Sequence, residues 1–536
     1  MIKFILTRDD LSSIVSMRYF LDFGRTIFIL LAFMYSLSGC IKDTITSQDN
    51  HLNNGLGYPR LAMWWPDTWN QSLDDLKRYD WIGFGSWDKL ATINSLKALN
   101  TGQKHFMDFS ITETSWSWWQ NNKQTIMEKI PAEWFLTQRG TFLADTINMF
   151  QTKITVESVV DNSGHPLFEL DDKIACEFET MNVIGLDTQN KILTVERGFV
   201  RSTGKHLKGV RIAPHITFWP ESWVMNMSSL CPKFDLNDGN GPQTWIEFAC
   251  RYWTIENQTM WDGYIVDRIE SEQSWLTERW CRTIDPDFSN KEITDTYTAF
   301  NAAWHQGCTG FLEYLRSANP GKALISNTSG AYYQVLNGAI YEGFPGNWDN
   351  SRPETYQEWS DRILGENGYI NVSKSGYAPN YSLTETYEDE EMPEDGLEYD
   401  NPFTHPDFIP NYQRIRYGLT TALLGDGYFS YEIGTNGHGG LGLMWFDEYD
   451  NAGKGRGYLG VPAEDAVIIM PVGDGYVWKR VYERGIVLCN PTNTPVTVNL
   501  DKRYHLIKGN QVPEINTGEF VDTVTIKSRD GRILVN

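Results

Sequence analysis

The feature that most constrains the fold is a regular alternation of short apolar runs with longer segments of helical length. Several runs end in a polar or acidic residue, as barrel strands do where they meet a catalytic face. We predict a (β/α)8 TIM barrel, a class of α/β fold; the alternative is a doubly wound open sheet, and the absence of a Gly-rich phosphate loop favours closure. The eight runs are residues 61–65, 81–86, 105–110, 263–268, 323–327, 339–344, 369–373 and 428–432.

Two stretches depart from this alternation and predict additional β modules. Residues 151–221 contain short β-branched strands with turn signals, which indicates a small inserted β module after the third barrel strand. Residues 461–536 alternate strands with Gly, Asn and Pro turns, which predicts a C-terminal antiparallel β-sandwich. The barrel is then expected over residues 56–150 and 222–460. The acidic stretch 384–400 is interpreted as a solvated loop between the seventh and eighth strands, with calcium binding as the alternative.

The inserted module also contains a basic segment, residues 195–209, with Arg197, Arg201 and His206. It is either a binding loop or the tip of a hairpin. Because solvated charges are common at turns, we favour the tip.

The N-terminus has the features of an export signal. A twelve-residue apolar stretch, residues 26–37, follows Arg18 and Arg25 and is too short to span a bilayer, which needs roughly 20 residues. It ends at Leu-Ser-Gly-Cys, which resembles the bacterial lipobox whose cysteine, here Cys40, is acylated. We therefore expect a signal peptide over residues 1–40, starting at Met1 or Met17, and a linker over residues 41–55. The protein should be exported and lipid-anchored to the outer membrane; a buried N-terminal helix is the alternative.

Composition narrows the possible partners. A net charge of −23 would repel a phosphate backbone, so we expect no nucleic acid partner. Aromatic residues make up 14% of the chain, and their rings either stack on sugars or fill the core. The seven cysteines include no CxxC pair, so we predict no metal site and no cofactor. Beside Cys40, the cysteines either form disulfides, with Cys231 and Cys250 the first pair to test, or remain buried thiols.

Strand-end acids are the candidate catalytic groups, because cleavage of a glycosidic bond usually requires two carboxyl groups. Asp267 ends the fourth apolar run, and Glu342 lies in the sixth, directly before a glycine. An acid at the end of a buried strand is costly to desolvate unless it faces a polar cleft. The alternative for each is a helix cap or an arginine partner, and Arg268 follows Asp267 at once.

Further polar and aromatic residues compete for roles in the same site. Glu432 ranks third among the acids, ahead of Asp426, Glu270 and Asp108, and Asp108 points either into the barrel or toward its helices. Residues at or just after strand ends are candidates to bind substrate, although each is equally consistent with the core: Glu432, Asn327, Trp64, Trp65, Trp87, Trp116, Trp348, Tyr377 and Arg268.

Three motifs carry a resemblance to known families. RYGLTTALLGDGYFSYE at residues 416–432 and LMWFDEYDNAGKGRGYLGVP at residues 443–462 resemble the hypothetical glycosyl hydrolase family 15-like group. WDGYIVDRI, at residues 261–269, resembles the GFDG-strand-Asp signature of related barrel families, including the endo-α-1,4-polygalactosaminidases. The resemblance covers most of residues 55–536. It implies a (β/α)8 catalytic domain with a C-terminal β-sandwich and, by analogy, Asp267 and Glu342 as the catalytic pair.

These observations lead to one main hypothesis and two alternatives. The main hypothesis is a lipid-anchored glycoside hydrolase that cleaves an extracellular polysaccharide or glycoconjugate with a carboxylate pair. The first alternative is a non-catalytic glycan-binding surface lipoprotein on a degenerate barrel, in which Asp267 and Glu342 would point apart or be locked in ion pairs. The second is an assembly protein that uses its β modules as protein contacts.

Overall fold

The structure is a computed structural model that describes residues 57–66, 71–85, 90–117, 129–218, 221–252, 260–276, 283–291, 297–327, 330–346, 354–388, 409–433 and 443–536. The strands in these ranges are β1 (Ala62–Trp64), β2 (Trp81–Gly85), β3 (Lys104–Ser110), β4 (Glu113–Ser115), β5 (Thr137–Gln138), β6 (Thr141–Phe142), β7 (Lys153–Thr155), β8 (Lys173–Cys176), β9 (Glu179–Asp187), β10 (Ile192–Glu196), β11 (Arg211–Pro214), β12 (Ser222–Val224), β13 (Gly263–Asp267), β14 (Ile284–Asp285), β15 (Ala323–Ser326), β16 (Ile340–Tyr341), β17 (Leu383–Tyr387), β18 (Tyr428–Glu432), β19 (Val467–Val472), β20 (Gly475–Tyr482), β21 (Gly485–Asn490), β22 (Val496–Leu506), β23 (Phe520–Ile526) and β24 (Asp530–Val535).

The α-helices in the same ranges are α1 (Leu73–Leu76), α2 (Leu90–Leu99), α3 (Trp245–Tyr252), α4 (Thr298–Ala318), α5 (Tyr356–Ile363), α6 (Tyr369–Val372), α7 (Tyr412–Ala422) and α8 (Asp447–Asp450). None of these described helices is both long and apolar enough to cross a membrane. The predicted signal peptide and linker lie outside the described residues.

Parallel strands form the framework of the fold. One sheet has the order β1-β2-β3-β13-β15, and a second has the order β16-β17-β18. Isolated parallel bridges pair Leu61 with Phe429 and Ser326 with Ala339, and so link the edges of the two sheets. The prediction of an α/β fold with parallel strands is confirmed, and seven of the eight predicted strands lie where the sequence placed them.

The seventh predicted strand is wrong. Residues 369–373 are one of the eight apolar runs that predict a strand, but Tyr369–Val372 is helix α6. The seventh strand is β17 (Leu383–Tyr387), which covers the start of the acidic stretch that was interpreted as a solvated loop. All five of its residues are buried. A prediction based on apolar runs missed this strand because most of its side chains are polar.

The parallel strands share one apolar core, to which every one of them contributes. Side chains alternate along a strand, so this cluster defines one face of the combined sheets. Gly83 of β2 lies on the same face, where an added Cβ would come within 2.5 Å of Ile265 and 2.8 Å of Trp64. The members of this core cluster are Ala62, Trp64, Trp81, Phe106, Ile265, Ala323, Ile325, Ile340, Tyr381, Leu383 and Tyr428.

Local sequence signals account for several helix boundaries. Helix α5 begins with a capping box, in which the side chains of Thr355 and Glu358 each accept a hydrogen bond from the other's backbone N–H. Helix α7 begins after Asn411, whose side chain accepts from the backbone N–H of Arg414 at 3.0 Å. Helix α4 buries an apolar face repeating every three or four residues, as a helix packed on a sheet requires.

The inserted strands form a separate antiparallel sheet with the order β6-β11-β8-β9-β10-β7. It has its own buried core, which includes Ile154, Phe168 and Val183. Its strands lie between β3 and β13 in the chain, as predicted for an insertion after the third barrel strand. The predicted bounds of the modules, including residues 151–221 for this one, stay predictions.

The C-terminal strands form one six-stranded sheet with the order β19-β20-β21-β24-β22-β23. Its recorded pairings are antiparallel, as predicted. The prediction of two packed sheets is not confirmed, because the pairing places all six strands in a single sheet. Arg416 of α7 forms an ion pair with Asp530 of β24, at 2.9 Å between Nε and Oδ1, which fixes this sheet against the helix.

Candidate active site

A polar layer follows the apolar core at the carboxyl ends of the parallel strands. A residue two positions beyond a core residue points to the same face of the strand. Continuing from the core residues of β13, β15, β16, β17 and β18 in this way reaches four acids, one amide and one hydroxyl group. These polar residues are Asp267, Asn327, Glu342, Glu385, Ser430 and Glu432.

One side-chain amide joins the two predicted catalytic acids. Nδ2 of Asn327 donates to Oδ1 of Asp267 at 3.1 Å and to Oε1 of Glu342 at 2.9 Å. Asp267 is buried, at 6% exposure, whereas Asn327 and Glu342 are partly exposed. The structure therefore brings together two acids that are 75 residues apart in the sequence, together with Asn327, one of the predicted substrate-binding residues.

Arg362 supports the backbone around Glu342. Its guanidinium donates to the main-chain oxygens of Glu342 and Gly346. Burial lowers the pKa of Arg362, and the negative charge of Glu342 acts to raise that pKa. Sequence reasoning missed Arg362, because it lies within helix α5 and its spacing from the sixth strand carries no signal.

Two further acids lie deeper in the polar layer. Glu385 of β17 is fully buried, and Glu432 of β18 is 1% exposed. The hydroxyl of Tyr387 donates to Oε2 of Glu385 at 3.1 Å. Burial raises the pKa of Glu432 to about 8; the Glu385 carboxyl and the Ser430 hydroxyl act to lower it, and the charge of Glu342 acts to raise it. Glu432 was predicted from the sequence, but Glu385 and Tyr387 were missed with the seventh strand.

Arg268, next to Asp267, interacts with two further acids, Glu270 and Glu113. It forms an ion pair with Glu270, and its guanidinium stacks 3.2 Å from the centre of the Phe218 ring. Burial raises the pKa values of Glu270 and Glu113; for each, the Arg268 charge acts to lower the pKa and the Asp267 charge acts to raise it. Arg268 thus neutralises acids around Asp267. Glu113, on the short strand β4, was missed because no apolar run marks that strand.

The backbone is strained at two positions that directly follow site strands. Arg268 has φ 59° and Trp65 has φ 53°, both in the left-handed region. Non-glycine residues rarely adopt this conformation, and such strain is concentrated at functional sites. Both residues are among the predicted substrate-binding residues.

The two tryptophans of the first strand have different surroundings. Trp64 is 1% exposed, belongs to the core cluster, and donates through Nε1 to Oδ2 of Asp108 at 2.7 Å. Asp108 therefore points toward the core face rather than toward the helices. Trp65 is partly exposed and its ring lies 5.2 Å from that of Trp64. Of the two, only Trp65 presents surface that a ligand could cover.

Trp116 and Tyr377, the other predicted aromatic residues within the described ranges, pack against other parts of the chain. Trp116 packs against Phe199, with ring centres 4.9 Å apart, and so contacts the inserted module. Tyr377 accepts a backbone hydrogen bond from the side chain of Asn337 and stacks on Arg316, which places it near the amino ends of β15 and β16. The reason for choosing Tyr377, its position after a seventh strand at residues 369–373, was wrong. Trp87 and Trp348 lie outside the described residues.

The remaining acid considered from the sequence has a structural partner. Asp426 is 4% exposed and forms an ion pair with Arg480, which is itself 2% exposed. The hydroxyl of Tyr58 also donates to the backbone oxygen of Asp426 at 2.9 Å. Asp426 therefore fixes the C-terminal sheet to the parallel strands.

The described residues contain no cluster of three or more His, Cys, Asp or Glu side chains that could hold a metal ion. Cys231 and Cys250 are free thiols, so the first disulfide to be tested from the sequence is not formed. Cys176, Cys308 and Cys489 are buried free thiols, as the alternative expected. Cys40 and Cys281 lie outside the described residues.

Solved structures that resemble this chain include a glycoside hydrolase domain, a debranching enzyme and an α-amylase. The glycoside hydrolase domain of PelA from Pseudomonas aeruginosa is 13% identical, with a TM-score of 0.34, over 72% of this chain and 98% of that one. A debranching enzyme from Nostoc punctiforme soaked with acarbose is 10% identical, with a TM-score of 0.39, over 90% and 100%. An α-amylase from Geobacillus thermoleovorans in complex with acarbose is 10% identical, with a TM-score of 0.39, over 89% and 97%. Similarity at this level carries no argument about function.

Comparison of sequences gives a firmer result. Among curated proteins, none matches this chain. The family described as hypothetical glycosyl hydrolase family 15 matches residues 199–486, which is more than half of the 536 residues. The matched region includes Asp267, Asn327, Glu342 and Glu432. The chain belongs to hypothetical glycosyl hydrolase family 15.

Proposed function

We propose that this protein is a glycoside hydrolase that cleaves a polysaccharide or glycoconjugate with Asp267 and Glu342 as its catalytic pair. The observation that carries the proposal is the single Asn327 amide that binds both carboxyl groups at the carboxyl ends of parallel strands. Active sites of (β/α)8 barrels are built at that end of the strands. Membership of a glycosyl hydrolase family supports the same chemistry.

We infer that the eight parallel strands close into a (β/α)8 barrel. Each strand contributes to one core cluster, as expected if that cluster fills a barrel interior. The parallel bridges Leu61–Phe429 and Ser326–Ala339 support closure, because they join the outer strands of the two sheets. We also infer that the C-terminal sheet folds over into a sandwich, since the register of β22 with β23 shifts between Asn499 and Tyr504.

The distance between the two acids favours retention of configuration. The two N–H bonds of an amide diverge by about 120°, so carboxyl oxygens 3.1 and 2.9 Å from Nδ2 of Asn327 lie about 5 Å apart. Retaining glycosidases place their carboxyl groups about 5 to 5.5 Å apart, whereas inverting enzymes need roughly 6.5 to 9.5 Å to admit a water molecule.

The roles of the two acids follow from this spacing. Glu342 donates a proton to the glycosidic oxygen while a carboxylate oxygen of Asp267 attacks the anomeric carbon, which breaks the glycosidic bond and forms a glycosyl–Asp267 ester. Glu342 then takes a proton from a water molecule, which attacks the same carbon and releases the sugar and the Asp267 carboxylate. Glu342 is the acid of the pair because a glutamic acid has the higher intrinsic pKa.

The substrate is expected to lie across the same polar layer. We propose that Asn327 and Arg268 contact sugar hydroxyls, and that the partly exposed ring of Trp65 stacks on a sugar face, whereas Glu432, at 1% exposure, supports the site without touching the sugar. The buried Trp64, next to Trp65, orients Asp108 through its hydrogen bond to that carboxyl group. We further propose that the protein is exported and attached by a lipid at Cys40 to the outer membrane, where large glycans arrive.

A hydrolysis screen tests this function. The chain from residue 41 onward is incubated with a library of polysaccharides, and released reducing ends are measured. Asp267→Asn and Glu342→Gln should each lower the rate by about a thousandfold or more, while Glu514→Gln, which changes an exposed acid between strands β22 and β23, should leave it unchanged. If both site variants retain full activity, the assignment of the pair is wrong. Binding of a glycan with no product would favour the non-catalytic alternative.

A further inference from the structure

The buried acids Glu385 and Glu432 form a second carboxyl pair behind the proposed catalytic one. They lie on the paired strands β17 and β18, in which Glu385 is in register with Ser430 and Tyr387 with Glu432. Residues in register on neighbouring strands point to the same face, and so do residues two apart on one strand. The two carboxyl groups therefore converge on the face that carries Glu342.

Burial of this pair is nearly complete. Glu385 is 0% exposed and Glu432 is 1% exposed, although each carries an ionisable group. Two carboxylates cannot both be ionised at short distance in a water-excluded site without a large energetic cost. Backbone hydrogen bonds hold both residues in place. The backbone N–H of Phe344 donates to the main-chain oxygen of Glu385 at 2.7 Å, and the backbone N–H of Glu388 donates to the main-chain oxygen of Glu432 at 2.8 Å.

The groups that face Glu432 are acids and hydroxyls. The negatively charged or ionisable neighbours are Glu385 on β17 and Glu342 after β16. The hydroxyl groups are those of Ser430, Tyr79, Tyr387 and Tyr449, and the negative charge of Glu432 acts to raise the pKa of each of these tyrosines. Arginines occur near some of these tyrosines, but no arginine in the part of the chain that the structure describes is among the groups that act on the pKa of Glu432.

We propose that Glu432 is a positioning residue that keeps a neutral, proton-bearing carboxyl group beside Glu342 while Glu342 transfers its proton. This inference rests on the proposed function. When Glu342 gives its proton to the glycosidic oxygen, it becomes a carboxylate within the polar layer. A neutral Glu432 tolerates that new charge, whereas an ionised Glu432 repels it.

The proposal predicts that the rate of hydrolysis falls at alkaline pH. Because burial raises the pKa of Glu432 to about 8, its carboxyl group is neutral at pH 7 and ionises above that pKa. The wild-type rate should therefore fall as the pH rises through about 8. Glu432→Gln keeps the shape and can never ionise, so its alkaline limit should move up by at least one pH unit. Glu432→Ala should be at least tenfold slower than Glu432→Gln at pH 7.

Infrared difference spectroscopy tests the protonation state without any substrate. Spectra of the full chain in heavy water are recorded from pH 6 to pH 10, and the carbonyl band of protonated carboxylic acids is followed. Wild-type protein should lose part of this band around pH 8. Glu432→Gln should lack that step, and the exposed-site control Glu514→Gln should keep it.

The outcomes separate this inference from the proposed function. If no carboxyl group titrates in this range, or if the step survives in Glu432→Gln, the proton-bearing group is not Glu432 and the inference is overturned. If the step is present but wild type and Glu432→Gln have the same alkaline limit, Glu432 does not act on Glu342. If no glycan is hydrolysed, the proposed function and the positioning role both fail, while the infrared result still decides where the proton resides.

Discussion

Removal of the Asn327 amide tests the arrangement on which the proposed chemistry depends. In Asn327→Ala, the two acids lose their shared donor, which binds Asp267 at 3.1 Å and Glu342 at 2.9 Å. Without it, the hydrogen bonds that join the nucleophile and the acid through one amide are lost, so their separation is less well fixed. The rate should fall because the reacting groups must be ordered again in every transition state.

The size of the effect follows from the two hydrogen bonds. A bond to an ionised carboxylate contributes about 1.5–3 kcal/mol and one to a neutral acid about 0.5–1.5 kcal/mol, so their joint contribution centres on about 3 kcal/mol. Since about 1.4 kcal/mol corresponds to tenfold in rate, kcat/KM should fall roughly a hundredfold.

The assay is the initial rate of reducing-end release on the glycan found in the screen, measured over a range of substrate concentrations. Asn510→Ala is the matched control, because Asn510 is exposed and lies on the C-terminal part of the chain. Thermal unfolding of each variant shows whether the fold is intact. A kcat/KM for a folded Asn327→Ala within about threefold of wild type, less than 1 kcal/mol, would refute the reasoning.

Three further predictions concern stereochemistry and stability. The first anomer seen by proton NMR during hydrolysis should keep the configuration of the substrate, and an inverted product would contradict the spacing of about 5 Å inferred for Asp267 and Glu342. Glu179→Gln should destabilise the inserted module by about 3–5 kcal/mol in urea unfolding, because Arg197 and His206 lose their buried carboxylate partner. Asp426→Asn should lower the free energy of unfolding by about 3–5 kcal/mol, because Arg480 stays buried without its charged partner, and should leave kcat unchanged. A fall in kcat at unchanged stability would instead indicate that Asp426 belongs to the site.

The Glu179 cluster also gives stability a dependence on pH. Burial acts to raise the pKa of Glu179, but hydrogen bonds from Arg197, His206 and the backbone N–H of Gly204 lower it to about 2. Because the folded-state pKa lies below the unfolded one, this stabilisation is present above about pH 4.5 and is lost as the pH falls toward 2. The shift in pKa corresponds to about 3 kcal/mol of stability. The free energy of unfolding should therefore change less between pH 7 and pH 3 in Glu179→Gln than in wild type.

Sequence periodicity located most of the framework because the parallel strands are buried on both faces. Such strands appear as continuous apolar runs, and their last residues, including Asp267, identify the carboxyl ends. The interpretation failed at β17, where Leu-Thr-Glu-Thr-Tyr is buried although three of its five residues are polar. Burial of Glu385 depends on contacts with strand β18 and the residues around Phe344, which are remote in sequence.

The site could be predicted only where a residue carries its own local signal. An acid directly after an apolar run, such as Glu342, is visible in the sequence. Arg362 acts on Glu342 from a helix, and Glu113 approaches Arg268 from a short strand that pairs with β12. Their roles arise from tertiary contacts, which no periodicity encodes. The same limit applies to the aromatic residues. Whether a ring such as Trp64 can contact a ligand depends on its exposure, which tertiary packing decides.

The acids of the chain make two kinds of side-chain contact, and this difference supports the assignment of the pair. Asp426, Asp530 and Glu179 each form an ion pair with an arginine, so their charge stabilises the fold. Asp267 and Glu342 both accept a hydrogen bond from one neutral amide, which adds no charge of its own between them. A nucleophile and a proton donor must adopt opposite protonation states in one site. An amide permits that difference, whereas an arginine between them would hold both acids ionised.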